Sequence, residues 1–165
     1  MPILSEMLQE FNQEMGPTRK VLERVPSERG EWKPHPKSFP LGHLAQLVSW
    51  MPGWVGQAML NDKLDLGGSA GYSYEPTEKL LAEFDKGVKE TQEAFETGKN
   101  VNLDAIWSLT HGERVLFSAP RGAILRNHIN HLVHHRAQLG VYLRLLDLPV
   151  PSMYGPTADE RQFLG

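Results

Sequence analysis

Four stretches of the chain carry apolar residues at the spacing of an amphipathic helix, and segments rich in proline and glycine separate them. This spacing predicts helices over residues 3–25, 40–60, 76–98 and 120–146. The intervening connections exceed the ~2–8 residues usual in simple bundles, so we expect some of them to cross the bundle. The pattern predicts an all-α four-helix bundle with long crossover connections, formed by one domain over residues 1–165.

Proline and glycine also mark weak points within these predicted helices. Gly16-Pro17 is expected to disturb the first helix. Pro52 lacks a backbone donor and is therefore expected to kink or split the second helix. Residues 61–76, rich in glycine and tyrosine, are predicted to form a loop.

The segment before the last helix differs from the rest because two β-type runs, AIWSL and RVLFS, flank the turn-like THGE. This arrangement predicts a short β-hairpin. Ser118 is expected to cap the last helix and Pro120 to occupy its first turn. The proline-punctuated tail, residues 149–165, is predicted to pack along the body as coil.

Charge and cysteine content exclude several classes of function. The chain has 17 Lys and Arg against 20 Asp and Glu, a net charge of −3 without a basic run, so no nucleic-acid partner is expected. The absence of cysteine excludes disulfides, zinc–thiolate sites and a cysteine nucleophile. Neither a signal-peptide pattern nor an apolar run of membrane-spanning length is present, so we expect a cytoplasmic protein with no membrane partner.

The segment NHINHLVHHRAQLG, residues 127–140, holds four of the seven histidines of the chain. At about 100° per residue, His128, His131 and His135 fall within roughly 60° on the apolar side of the last helix, whereas His134 lies on its flank. His131 and His135 are one helical turn apart, so their imidazoles can converge on one ion. The spacing therefore selects this pair as candidate metal ligands.

A third ligand must come from another helix, and His43 shares an inward face with Leu47, Trp50 and Trp54. A lone core-facing histidine is more often a hydrogen-bonded polar residue than a ligand. Burying three imidazoles without partners would cost about 1–3 kcal/mol each, which favours a metal site. Such a set of nitrogen ligands suits zinc, nickel, iron(II) or copper(II). Leu132 stands where the glutamate of a zinc-protease HExxH motif belongs, so that activity is not expected.

LGHLAQLV in the second helix and H-x-x-x-H-R-x-Q, from His131 to Gln138, make the whole chain resemble the DinB-like (DinB/YfiT) superfamily. The resemblance implies a four-helix bundle with a crossover and a divalent metal ion held by His43, His131 and His135. Characterised members are similar to metal-dependent thiol transferases and isomerases that use a low-molecular-weight thiol, and others are described as hydrolases. The family name does not imply DNA binding.

The sequence thus leads to two hypotheses of different classes. The first is a metal-dependent enzyme, a hydrolase or a thiol transferase acting on a small molecule, in which the metal lowers the pKa of a bound water or thiol. His128 would then be a proton acceptor or support the ligands, and it is the alternative third ligand. The second is a non-enzymatic metal-binding or structural dimeric bundle in a stress response. Both hypotheses include a homodimer, because long crossovers often leave an apolar helix face uncovered.

Arg136 is either a flank cation or the partner of a carboxylate over the site.

Overall fold

The structure is a computed structural model that describes residues 2–68 and 71–161. Its four helices confirm the predicted ones: α1 (Pro2–Leu22), α2 (Leu41–Leu60), α3 (Thr77–Thr97) and α4 (Arg121–Leu145). α1 continues through Gly16-Pro17 without a break, contrary to the expected disturbance, and ends before residue 25.

The helices form a bundle in which α2 packs against α3 and α4, and α1 packs against the same two helices. α1 and α2 make few contacts with each other, and so do α3 and α4. The connections α1–α2 and α3–α4 therefore join diagonal corners, which confirms the predicted crossovers. The buried side chains at the centre come from all four helices and include Phe11, Leu22, Leu44, Met51, Phe84, Leu125, Leu132 and Leu139.

Pro52 lies inside α2, and the helix continues through it without being split. The hydroxyl of Thr91 in α3 donates to the Pro52 carbonyl at 2.7 Å and accepts from the Gly56 N–H at 3.0 Å. It thereby replaces the bond that would join residues 52 and 56 in a regular helix. A Cβ on Gly87 of α3 would lie 2.9 Å from the backbone nitrogen of Gly53, so glycine permits this close approach. These contacts fix α2 against α3.

A three-stranded sheet accompanies the bundle, in the order β1 (Lys63–Asp65), β2 (Ile106–His111) and β3 (Arg114–Pro120). β2 and β3 are the predicted antiparallel hairpin. β1 is parallel to β2 and corrects the prediction that residues 61–76 form only a loop. The strand is short, and its partner is remote in sequence, so local periodicity gives no sign of it. The Asp65 carboxylate secures it by accepting from the N–H of Gly112 at 2.9 Å.

The start of α4 corrects the predicted cap. Ser118 lies in β3, where its hydroxyl is hydrogen-bonded to that of Ser108 at 2.8 Å. Pro120 precedes the helix as its capping residue and is not in the first turn. The first free amide of α4, that of Arg121, donates to the Ala105 carbonyl at 2.8 Å. A backbone carbonyl brought in by the chain before β2 therefore does what a serine side chain was expected to do.

The C-terminal segment runs as coil along the bundle, as predicted, over its described part. Glu160 forms an ion pair with Arg24, and its carboxylate accepts from the Ser152 N–H at 2.8 Å. Residues 69–70 of the predicted loop and 162–165 of the predicted tail lie outside the described residues. No helix over residues 2–68 and 71–161 has the length and apolar character needed to cross a membrane.

Candidate metal centre

The predicted pair is assembled on α4. His131 and His135 face each other across one turn, with 2.9 Å between their Nε2 atoms, and both side chains are half-buried. Two nitrogen ligands bound to one ion at about 2.0–2.1 Å and at a right angle are about 2.9 Å apart. The separation therefore suits two neighbouring positions of an octahedral ion as well as a direct hydrogen bond.

Gln138, one turn further along α4, determines which nitrogen of His135 carries a proton. Its Oε1 is 2.7 Å from His135 Nδ1, and its Nε2 is 3.1 Å from His134 Nε2. An amide oxygen can only accept, so the first bond requires the proton on Nδ1 of neutral His135 and leaves a lone pair on Nε2. That lone pair points at His131. This arrangement is the one that metal-ligating histidines commonly have, with the outer nitrogen donating to a fixed acceptor.

Both rings favour the neutral form. Burial lowers the pKa of His131, and the neighbouring charges of His135 and His134 lower it further. Burial also lowers the pKa of His135, although the hydrogen bond to Gln138 opposes the shift. A metal ion binding to this pair at neutral pH would therefore displace few protons, which favours binding.

His128 lies one turn before His131 in an aromatic environment. Its ring centroid is 5.9 Å from that of Trp107, nearly perpendicular to it, and 6.1 Å from that of Trp54. Both of its nitrogens are buried and have no hydrogen-bond partner among the described residues. Burial, followed by the charge of His131, lowers its pKa to about 4. His128 is thus neutral at physiological pH, with a lone pair that no described residue uses.

His43, the predicted third ligand, contacts two aromatic rings. Its ring centroid is 4.4 Å from that of Phe39 and 4.9 Å from that of Tyr72, which lies nearly parallel to it. Burial lowers its pKa. Over the described part of the chain, no group of three or more His, Asp or Glu side chains is arranged to hold a metal ion. The structure therefore brings His131 and His135 together and leaves His43 outside their contact.

Arg136 is not the exposed flank cation of the first alternative, because its side chain is 1% exposed. It pairs with a carboxylate, as in the second alternative, but the pair faces α1 and does not lie over the histidines. There it pairs with Glu14 at 2.6 Å and donates to the Thr18 hydroxyl at 3.1 Å and to the Tyr154 hydroxyl at 2.8 Å. The Tyr154 hydroxyl in turn donates to the Glu14 carboxylate. This cluster of four side chains joins α1, α4 and the C-terminal segment.

Sequence reasoning missed the residues that surround the histidines. Gln138 ends the H-x-x-x-H-R-x-Q motif, but no role was predicted for it, although its place three residues after His135 puts it on the same helix face. Phe39 and Tyr72 come from connecting segments, and no local pattern indicates that they enclose His43. Trp107 belongs to the hairpin, and its contact with His128 exists only once the sheet packs on α4.

Comparisons with known proteins agree with this architecture. A family model described as "DinB family" matches residues 1–162. The crystal structure of a DinB-like protein from Bacillus cereus ATCC 10987 shares 25% identity with a TM-score of 0.68, over 90% of this chain and 95% of that chain. That of a DinB-like protein from Bacillus subtilis shares 15% identity with a TM-score of 0.64, over 96% of this chain and 99% of that chain. No curated protein matches the chain.

Proposed function

We propose that this chain, which belongs to the DinB family, binds a divalent metal ion through His131 and His135, with His43 as the third ligand. With this ion it would act as a metal-dependent hydrolase or thiol transferase on a small molecule. The observation that carries the proposal is the 2.9 Å approach of the two Nε2 atoms, together with the Gln138 contact at the outer nitrogen of His135. Two imidazoles of lowered pKa suit zinc, nickel or iron(II). His43 would join them by leaving its contacts with Phe39 and Tyr72.

When bound, the ion would supply Lewis-acid activation of a water or thiol near neutral pH. The protein would contribute the surroundings. Gln138 holds His135 in one tautomer. Trp54, whose ring centroid is 6.1 Å from that of His131, packs beside the pair. His128 stays the candidate proton acceptor or supporting residue, and the burial of both its nitrogens favours the supporting role.

Metal content of protein purified without a polyhistidine tag tests the proposal. His131→Ala and His135→Ala are each expected to lose the metal, because each removes one arm of the chelate. His134→Ala is the matched control and should keep it, since this neighbouring ring lies on the exposed flank of α4. Full metal occupancy in either of the first two variants, or none in the wild type, contradicts the assignment. Activity of the loaded protein against thiols, esters and amides then separates transferase from hydrolase.

The rival is a non-enzymatic bundle, and the contact of His43 with two aromatic rings is the observation that favours it. A wild-type protein that contains no metal supports this rival.

A homodimer also stays a prediction. Its structural support is a set of large apolar side chains exposed on the hairpin: Ile106, Val115, Leu116 and Phe117. Sedimentation at micromolar concentration should give twice the 18.6 kDa of one chain, and a species of 18.6 kDa contradicts it.

A further inference from the structure

Beside the histidine pair, a cleft of about 380 Å³ opens between α4 and the chain segment that precedes α2. This volume is within the range of small-molecule sites. One wall is formed by Lys37, Ser38 and Phe39, and the other by side chains of α4 that begin at the candidate ligand: His135, Gln138, Val141 and Tyr142. A cleft of about 230 Å³ between α1 and α3, by contrast, has no histidine in its lining.

The cleft is preformed although one wall comes from a proline-rich segment. The Tyr142 hydroxyl donates to the Phe39 carbonyl at 3.1 Å and so ties the segment to α4. Trp32 packs edge-on against the Tyr142 ring at 5.6 Å. The Lys37 N–H donates to His35 Nδ1 at 3.1 Å, which closes a tight turn. A wall held in this way needs little ordering when a ligand binds, which favours affinity.

The charge of the cleft indicates what it would accept. Among the described residues that line the cleft, Lys37 is the only Lys, Arg, Asp or Glu. Phe39 and Val141 present apolar surface and are 45% and 58% exposed. A ligand with an apolar body and one anionic group would cover these side chains and pair with the ammonium. A cationic ligand would meet repulsion and find no carboxylate in the lining.

We propose that this cleft is the substrate subsite of the candidate metal centre and takes a small apolar molecule with one anionic group, held by Lys37, with its reacting end at His135. The assignment rests on the proposed function, because only a metal at His135 makes that end of the cleft the reacting end. Preference for the apolar body and the anionic group would come from the cleft wall.

Binding of phenylacetate and of phenethylamine to chelator-treated, metal-free, ¹⁵N-labelled protein tests the charge preference. The two probes have the same ring and similar length but opposite charge. Phenylacetate should bind more tightly and shift the resonances of residues 37–39 and 138–142. Lys37→Gln should weaken phenylacetate binding about tenfold. Equal or tighter binding of the amine, or shifts confined to another surface, overturns the proposal.

A matched pair on α4 tests the location. Val141 and Leu145 are one turn apart and 58% and 56% exposed, but only Val141 is among the residues that line the cleft. Val141→Glu places a carboxylate in the cleft and should weaken phenylacetate binding at least about tenfold. Leu145→Glu changes the net charge equally and should leave the affinity for phenylacetate within about twofold of the wild-type value if the effect is local. Equal weakening in both variants overturns the proposal.

The metal and cleft assignments can fail separately. A protein that binds phenylacetate as described but contains no metal overturns the proposed function and leaves an anion-accepting cleft. Conversely, a protein that holds metal through His131 and His135 but prefers phenethylamine overturns the cleft assignment and leaves the metal centre.

Discussion

Two polar clusters lie on different faces of α4, and they are completed in different ways. On the face toward α1, the two terminal nitrogens of Arg136 contact Glu14, Thr18 and Tyr154, and these partners also bond to one another, while its Nε has no partner among the described residues. On the other face, His131 and His135 turn their Nε2 atoms toward each other. His128 nearby has two buried nitrogens without a partner among the described residues.

The difference shows which buried polar groups hold the fold and which are available for a ligand. A buried charge whose partners are protein groups stabilises one arrangement of helices, and losing a partner is costly. A single hydrogen bond between two ring nitrogens, or a lone pair that meets no described group, stabilises little by itself. The Arg136 cluster is therefore the structural one, and the histidine face is the one whose groups a metal would complete.

The largest expected effect comes from breaking the structural cluster. Arg136→Leu leaves the Glu14 carboxylate buried without its cation and should lower the free energy of unfolding by about 3–5 kcal/mol. Urea unfolding measures this loss. Arg126→Leu is the matched control, because Arg126 also pairs across α4 and α1, with Glu10 at 3.1 Å, but at the surface. It should cost at most about 1 kcal/mol. Equal losses would show that burial does not distinguish the two pairs.

The same contrast separates what the sequence could predict from what it could not. The helices and the hairpin follow local rules, so apolar spacing and turn residues located them. β1 and the cap of α4 depend on backbone groups supplied from elsewhere in the chain, as in the bond from the Arg121 N–H to the Ala105 carbonyl. A three-residue strand such as β1 and a helix capped by a backbone carbonyl have no characteristic side-chain pattern in the sequence.

For the candidate site, the part on one helix was predictable and the part between elements was not. The His131–His135 pair follows from i, i+4 spacing alone. The contacts of His43 with Phe39 and Tyr72 depend on how two connecting segments pack against the start of α2. The Arg136 cluster could likewise be predicted only if α1 were known to lie beside α4, because neither Glu14 nor Tyr154 is near Arg136 in sequence.

Metal-dependent stabilisation tests whether His43 completes the histidine face. A ligand from α2 would make metal binding depend on the folded bundle. Metal at a thousandfold excess over Kd should then raise the free energy of unfolding by about 4 kcal/mol. For a chain of this length, the melting temperature should rise by about 10 °C. His43→Ala should abolish most of this rise, measured by thermal unfolding with and without zinc or nickel. His111→Ala, on the exposed hairpin, should retain it. A full shift in the His43 variant would make His128 the better third ligand.

Acid sensitivity tests the unpartnered state of His128. Its pKa of about 4 in the folded protein lies below the ordinary 6.5, so the unfolded chain takes up a proton first. The contribution of neutral His128 to the free energy of unfolding is complete above pH 6.5 and is lost as the pH falls toward 4. The total loss is at most about 3 kcal/mol. His128→Phe in metal-free protein should remove this part of the pH dependence without loss of stability at pH 7, because the orphaned nitrogens disappear. Urea unfolding across this pH range measures it. A profile unchanged from the wild type would contradict the buried neutral ring.

The smallest expected effect concerns Gln138, which bonds to His135 and His134 on the histidine face. Gln138→Leu removes the acceptor for the His135 Nδ1–H, so the ring loses its fixed tautomer and orientation. Metal affinity should fall about 10- to 100-fold, the usual effect of losing such a partner. Gln138→Glu keeps an acceptor and should retain affinity. Gln92→Leu, which removes a glutamine bonded to Asn12 at 2.9 Å between α3 and α1, controls for the loss of an amide. Competition with a chelating dye gives the affinities, and nitrogen NMR of the metal-free protein gives the His135 tautomer. Wild-type affinity and tautomer in Gln138→Leu would show that this contact does not position His135, and that helix spacing alone brings His131 and His135 together.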